Sequence, residues 1–276
     1  MKIHKLTWVL LMGLLMGLLL LSSCSTKQPN LYLSANAAAV YSVENGKPLY
    51  EQNADKVMPI ASLSKLMTAF LVLEAVDNNE LSWDETLDLV RLDDPSAVSL
   101  YAITQKRTWS VRDLYSAMLT MSANDAAETL GDRLNGADFP KKMNRQATKL
   151  GMSSRTNFVS ASGLDVDGKT AVSTTKDLFL LSSKLISTHP EVLETTSKPT
   201  ITTDEGAKLE STNDLLGSIQ GLDGLKTGFT DEAGYCFIGT AERGGKRVIS
   251  IVLDAGTAEK RFKDTEKLME VGFKEN

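Results

Sequence analysis

Short β-rich stretches lie at both ends of the chain, and helix-like stretches fill the middle. Near the N-terminus, residues 37–43 and 48–50 read as two strands around Asn45-Gly46, a dipeptide typical of tight hairpin turns. Near the C-terminus, Gly-containing turns, one of them at 228–233, separate three predicted strands at 222–227, 234–242 and 246–253. Strands so far apart in sequence indicate one sheet assembled from both ends of the chain.

The segment between these strands is predicted to be mainly helical. Residues 62–78 carry a wide apolar face, which indicates a helix central to the core. Further helices are predicted at 111–121, 123–134, 173–187 (with Ser173 or Thr174 as N-cap) and about 257–273. We therefore expect one α+β unit over residues 31–276, with a mainly helical subdomain inserted at about 80–165.

Charge and histidine content exclude two classes of function. The 30 basic and 35 acidic side chains give a net charge of -5, whereas nucleic-acid-binding proteins need clustered Lys and Arg to neutralise phosphates. The two histidines are His4 and His189, too few for a hydrolytic zinc site once the N-terminus is removed. A lone His189 is typical of a surface or capping position, so a nucleophile here is expected to use another base. Cys236 lies in an apolar run and is expected to be a small buried hydrophobe.

Residues 1–23 are typical of a signal peptide. Lys2 and Lys5 precede a 16-residue apolar run that is short for a bilayer span. The run ends in Leu-Ser-Ser-Cys24, which resembles a bacterial lipobox, so Cys24 is predicted to be lipidated and residues 24–30 to form a tether. The protein is then exported and anchored to the outer face of a bacterial membrane. The alternative is an ordinary cleaved signal that uses small residues such as Ala35 and Ala37.

Ser62 and Lys65 are the first candidates for catalysis. Their spacing places a hydroxyl and an amine on one face of a helix, with Cβ atoms about 5–6 Å apart. Free backbone N–H groups at a helix N-terminus favour developing negative charge at Ser62. Lys65 can act as a base only if burial or a second cation lowers its pKa. The motif alone is weak, because Ser173 and Lys176 have the same spacing and are explained as part of a helix start.

Two further motifs follow along the chain. Ser122 could relay a proton, and Asn124 could orient the substrate or Lys65. Lys226 and Thr227 lie at the end of the predicted strand 222–227, where Lys226 would supply a cation for a carboxylate and Thr227 a hydroxyl. Gly228, which follows them, would leave space for a peptide. The backbone N–H of Phe229 could join that of Ser62 in an oxyanion hole.

The order Ser-x-x-Lys, Ser-x-Asn, Lys-Thr-Gly resembles the serine D-alanyl-D-alanine carboxypeptidases, the low-molecular-mass penicillin-binding proteins. The resemblance runs from about Ala37 to the C-terminus and includes the segments 61–68, 162–164, 173–177, 224–230 and 233–235. It implies a β-lactamase/transpeptidase-like fold, in which an antiparallel sheet is flanked by helices with an inserted mainly helical subdomain.

The resemblance also implies roles for individual residues. Ser62 would be the acylated nucleophile, Lys65 its base and Ser122 the proton relay. Asn124 would orient the substrate; Lys226, Thr227 and Arg261 would hold its terminal carboxylate. The implied partners are peptidoglycan stem peptides ending in D-Ala-D-Ala and β-lactams as covalent inhibitors, and no metal or organic cofactor is needed.

The sequence departs from the family in three places. Many relatives carry a second β-rich domain and a C-terminal anchor, whereas this chain stops at Asn276, so Cys24 is expected to provide the anchor instead. Relatives often have an Arg in the stretch matched by 210–213, and a His where Phe229 stands. Both changes bear on substrate preference.

Two alternatives to the carboxypeptidase remain. A class A serine β-lactamase needs a deacylating Glu with a nearby Asn, and the Glu210-to-Asn213 segment lies in the wrong place for it. Asp165 and Asp167 are carboxylates that could be simple turn residues. A lipid-anchored β-lactam sensor, acylated only once, is the other alternative.

Overall fold

The strand-forming segments from the two ends of the chain meet in one antiparallel sheet. This is seen in a computed structural model of the chain, which describes residues 29–92, 94 and 97–275. Residues Leu31–Asn276 form one compact unit. The strands are β1 (Ala37–Ser42), β2 (Pro48–Gln52), β3 (Met58–Pro59), β4 (Thr86–Asp88), β5 (Thr108–Ser110), β6 (Val172–Ser173), β7 (Thr200–Thr202), β8 (Lys208–Glu210), β9 (Leu222–Thr230), β10 (Gly234–Arg243) and β11 (Lys246–Ala255).

The helices occupy the middle and the end of the chain. They are α1 (Lys65–Asp77), α2 (Leu100–Thr104), α3 (Val111–Thr120), α4 (Asn124–Asn135), α5 (Phe139–Lys149), α6 (Thr175–Thr188), α7 (Val192–Thr196) and α8 (Ala258–Glu275). Helices α2 to α5 and the β4–β5 ribbon fall within the predicted helical subdomain, whose boundaries stay a prediction.

The five-stranded sheet has the order β2-β1-β11-β10-β9, so β9 is an edge strand. Helix α8 packs on one face and helix α6 on the other. Alternate side chains of β1 therefore enter two different cores: Ala39 and Tyr41 join the cluster that contains α1 and α6, and Val40 joins the cluster under α8. Coverage of both faces explains why β1 is buried along its whole length.

Helix α1 lies at the centre of the larger core, as predicted. Its side chains are buried on every side rather than on one face, and Leu66, Met67 and Phe70 are at most 1% exposed. A helix that is apolar all round belongs in a protein interior. The N-terminal end of α1, which begins at Lys65, is thereby held rigidly among the surrounding helices.

Three local predictions can be compared with the structure. The hairpin of β1 and β2 around Asn45-Gly46 is confirmed, and Thr174 caps α6 by accepting a hydrogen bond from the backbone N–H of Asp177. The predicted turn at 228–233 is wrong in its first half, because β9 continues to Thr230 and Gly228 pairs with Cys236 of β10. A glycine can stay in a strand at a point of close backbone approach.

Two further observations concern His189, which lies outside the sheet, and Cys236, which lies on β10. His189 is the residue that follows α6, a capping position, but its ring is only 2% exposed and is not on the surface. Cys236 is fully buried, as expected. Among the residues described, no helix is long and apolar enough to span a membrane.

Candidate active site

Ser62 lies in a single 3-10 turn, Ala61–Ser64, that leads directly into α1. The turn is strained, because Ala61 has a positive φ of 45°. Gly163 packs against it so closely that a Cβ at Gly163 would overlap the Ala61 carbonyl oxygen. The half-buried Ser62 is therefore fixed by contacts from a segment about one hundred residues away.

The Lys65 ammonium is enclosed completely, and all three of its donor positions are used. Nζ donates to Ser62 Oγ at 2.8 Å, to Asn124 Oδ1 at 2.7 Å and to the Ser162 carbonyl oxygen at 2.8 Å. Burial lowers the pKa of Lys65 well below its usual range, and the positive charge of Lys226 lowers it further. The lowered pKa favours the neutral amine, and in that form Nζ can accept the proton of Ser62 across the same contact.

Ser122 and Asn124 belong to the connection between α3 and α4. Asn124 begins α4, donates from Nδ2 to the Val98 carbonyl oxygen at 3.1 Å, and presents Oδ1 to Lys65. Ser122 is half-buried and has a positive φ of 66°. Within the described part of the chain its hydroxyl bonds neither Ser62 nor Lys65. Such backbone strain is common at functional sites.

Lys226 and Thr227 lie on the edge strand β9. Lys226 is 1% exposed, and its Nζ donates to the Thr227 carbonyl oxygen at 3.0 Å. Burial lowers the pKa of Lys226 to about 7, and the charge of Arg261 contributes in the same direction. The Thr227 hydroxyl shares a hydrogen bond of 2.5 Å with the hydroxyl of Thr212.

Gly228 brings β9 close to the turn that contains Ser62. A Cβ at Gly228 would lie 3.1 Å from the Ile60 carbonyl oxygen and 3.4 Å from the Leu63 backbone nitrogen. The first distance is tighter than ordinary van der Waals contact, and the second lies at its limit. The missing side chain therefore lets the edge strand approach the turn that contains Ser62. The sequence alone explains Gly228 only by the space that a peptide needs and does not indicate this packing role.

Arg261 and Phe229 lie near the end of β9. Arg261, in the first turn of α8, donates from Nη1 to the Gly228 carbonyl oxygen at 3.4 Å and is 8% exposed. Its guanidinium lies 4.6 Å from the ring centre of Phe262 and 5.5 Å from that of Tyr235. The Phe229 ring is 47% exposed and packs on the Tyr235 ring, with the two ring centres 4.4 Å apart.

The sequence matches the Peptidase S11 family, described as D-alanyl-D-alanine carboxypeptidase, over residues 23–257. The chain belongs to this family. It is 30% identical over 285 residues to the D-alanyl-D-alanine carboxypeptidase DacF of Bacillus subtilis, covering 96% of this chain and 70% of that protein. It is 32% identical to DacC of Escherichia coli, covering 88% of this chain and 62% of that protein.

Solved structures agree with this assignment. Penicillin-binding protein D2 of Listeria monocytogenes, in a cefotaxime-bound form, is 95% identical with a TM-score of 0.89, and the match covers 89% of this chain and all of that chain. A mutant of the Streptomyces K15 DD-transpeptidase is 28% identical with a TM-score of 0.78, over 89% of this chain and all of that chain. The expected fold, an antiparallel sheet flanked by helices, is confirmed.

Three contacts of this carboxypeptidase-family site were not assigned from sequence. The Ser162 carbonyl oxygen accepts a hydrogen bond from Lys65 Nζ, and the Ser162 N–H donates to Glu128 Oε1 at 2.9 Å. The hydroxyls of Thr212 and Thr227 share a hydrogen bond. Ser162 lies in a family-like segment that could have marked it. Nothing in the sequence singles out Glu128, and Thr212 stood out only as part of the stretch 210–213.

The depressed pKa of Lys226 predicts how stability changes with pH. The pKa is about 7 in the folded chain and about 10.4 for an ordinary Lys, so between these values the unfolded chain binds more protons. The free energy of unfolding then rises as pH increases from about 7 to about 9. We expect Lys226→Met to reduce this rise in urea unfolding at several pH values. Lys208→Met, which removes an exposed Lys, is the control. A free energy of unfolding that rises with pH as much in Lys226→Met as in the unchanged chain would contradict the lowered pKa of Lys226.

Proposed function

We propose that the chain is a serine D-Ala-D-Ala carboxypeptidase that removes the terminal D-Ala from peptidoglycan stem peptides. The observation that carries the proposal is the contact of 2.8 Å between Lys65 Nζ and Ser62 Oγ, with Lys65 fully buried, in a member of this family. A nucleophile and a base within hydrogen-bond reach, with the base held by a third group, are what covalent acyl transfer requires. Here Asn124 and Ser162 hold the base.

In the acylation step, Lys65 takes the proton of Ser62, and Oγ attacks the carbonyl carbon between the two D-Ala residues. The bond between Oγ and this carbon forms as the bond to the terminal D-Ala nitrogen breaks. The backbone N–H groups of Ser62 and Phe229 stabilise the oxyanion. The proton held by Lys65 then moves to the nitrogen of the leaving D-Ala, with Ser122 as the proposed relay. Water hydrolyses the acyl-enzyme, which releases the shortened peptide and restores the Ser62 hydroxyl.

The positive side of the site binds the terminal carboxylate of the peptide. Lys226 and Arg261 are both buried and carry no carboxylate partner among the described residues. A substrate carboxylate would supply the missing negative charge, and Thr227 would add a hydroxyl donor. Asn124, which already contacts Lys65, would orient the peptide backbone.

β-Lactams are proposed to acylate the same serine. The 95% identical penicillin-binding protein D2 has been solved in cefotaxime-bound form, and a 94% identical structure of it in ampicillin-bound form. Among the residues considered for a β-lactamase, Glu210 is exposed on β8 and paired with Lys208. Asp165 and Asp167 are exposed residues flanking Val166, which bridges to Lys169 in a tight turn.

Ser62→Ala is expected to abolish both D-Ala release and covalent labelling by benzylpenicillin, because no nucleophile remains. Lys65→Ala is expected to slow acylation by about 10²–10⁴-fold, the typical contribution of a general base. Intact-mass spectrometry with benzylpenicillin and with diacetyl-Lys-D-Ala-D-Ala follows both reactions.

Ser64→Ala is the matched control, because Ser64 is a buried serine in the same turn whose hydroxyl has no hydrogen-bond partner among the residues that the structure describes. Labelling that persists in Ser62→Ala would refute the proposal. Rapid penicillin turnover without D-Ala release would indicate a β-lactamase instead, and a stable adduct without peptide turnover would indicate a sensor.

We further propose that the protein is exported and lipid-anchored through Cys24. The support is the sequence alone: a positive start, a 16-residue apolar run and the Leu-Ser-Ser-Cys24 end. Residues 1–28 lie outside the described part of the structure, so the predicted signal peptide and most of the tether do as well. Acylation with two chains would suffice for stable anchoring.

Cys24→Ala is expected to abolish incorporation of a fatty-acid label in a bacterial host and to move the protein out of the membrane fraction. Cys236→Ala is the control, since Cys236 is the other cysteine and is buried in the fold. Equal labelling of Cys24→Ala and the unchanged chain would contradict the proposal.

A further inference from the structure

The ends of three helices meet at His189, away from the residues assigned to the reaction. Asp77 is the last residue of α1, His189 follows α6, and Glu191 precedes α7. His189 Nδ1 lies 3.4 Å from Asp77 Oδ2 and 3.4 Å from Glu191 Oε1. One nitrogen and two carboxylate oxygens thus lie within 4.8 Å of one another.

The His189 ring is buried without a hydrogen bond. It is 2% exposed, and neither Nδ1 nor Nε2 has a partner among the described residues. Buried polar side chains are nearly always partnered, and an N–H···O bond is normally about 2.9–3.0 Å long, shorter than the two distances of 3.4 Å. Nδ1 is therefore directed at two carboxylates without bonding either one.

The two distances from His189 Nδ1 fit a metal ion bound between these side chains. Zinc bonds to His nitrogen at about 2.0–2.1 Å and to carboxylate oxygen at about 2.0–2.2 Å. In a tetrahedron with such bonds the ligand atoms are about 3.3–3.5 Å apart, whereas neighbouring ligands of an octahedron would be about 2.9–3.0 Å apart. The two observed distances of 3.4 Å match the tetrahedron.

We propose that Asp77, His189 and Glu191 form a tetrahedral Zn²⁺ site, with water as the fourth ligand. Two carboxylates balance the charge of the ion, and the imidazole nitrogen disfavours Ca²⁺ and Mg²⁺, which take oxygen ligands. The side chain of Asp77 is 62% exposed and that of Glu191 41%, so the ion enters from solvent.

The site would act on stability and not on the chemistry at Ser62. The His189 ring meets the Phe70 ring edge to face at 5.4 Å, so α1 holds the ring as well as supplying Asp77. Bound zinc then fastens the C-terminal end of α1, the helix that begins with Lys65, to the connection between α6 and α7. A ligand that binds only the folded chain raises its thermal stability.

The test uses the untagged full chain in non-ionic detergent, stripped of metal with a chelator and titrated with ZnCl₂. Calorimetry should show that one equivalent of zinc binds the unchanged chain, with an affinity that Asp77→Asn or Glu191→Gln lowers at least tenfold. Zinc should also raise the unfolding temperature of the unchanged chain more than that of either variant. Glu194→Gln, which neutralises an exposed acid one turn further along α7, is the control and should behave as the unchanged chain. His4 and Cys24 are present in every variant, so the comparison isolates this site.

Co²⁺ provides a second readout, because four-coordinate Co²⁺ absorbs visible light more strongly than six-coordinate Co²⁺. The intense bands should appear in the unchanged chain and be lost in Asp77→Asn. The proposal is overturned if Asp77→Asn and Glu191→Gln bind zinc as tightly as the unchanged chain. It is overturned equally if Mg²⁺ or Ca²⁺ stabilises the chain as much as zinc does.

Discussion

The enclosed ammonium of Lys65 depends on three segments that are far apart in sequence. Ser62 comes from the turn before α1, Asn124 from the start of α4, and the Ser162 carbonyl oxygen from a loop after α5. A buried amine is costly unless each donor is satisfied, so all three segments must be in place before Lys65 can be buried. Helix α1 is almost completely buried, and its packing fixes the position of Lys65 in this arrangement.

A row of positive charges joins the helical side of the site to the sheet. The charge of Lys226 lowers the pKa of Lys65, and the charge of Arg261 lowers that of Lys226. The edge position of β9 makes this possible, since Gly228 lets the strand lie against the turn that contains Ser62. Repulsion between the cations favours a neutral base at Lys65 and, at the same time, a bound carboxylate beside Lys226.

Local patterns in the sequence were enough for much of the fold and for the motif residues. The Asn45-Gly46 hairpin and the α4 helix follow from turn chemistry and periodicity, which act over a few residues. Contacts between segments far apart in sequence could not be predicted from these local patterns. The extension of β9 past Gly228 depends on pairing with β10, and the burial of His189 depends on α1. The role of the Ser162 carbonyl could not be read from any side chain.

The central claim is that Lys65 is held as a base by burial and by neighbouring charge. The most direct measurement is an NMR pH titration of the chain labelled with ¹³C-lysine, in which the Cε signal of Lys65 is assigned by its loss in Lys65→Arg. The account predicts that Lys65 titrates well below the ordinary lysine pKa of about 10.4. Titration of Lys65 at that ordinary value would contradict it.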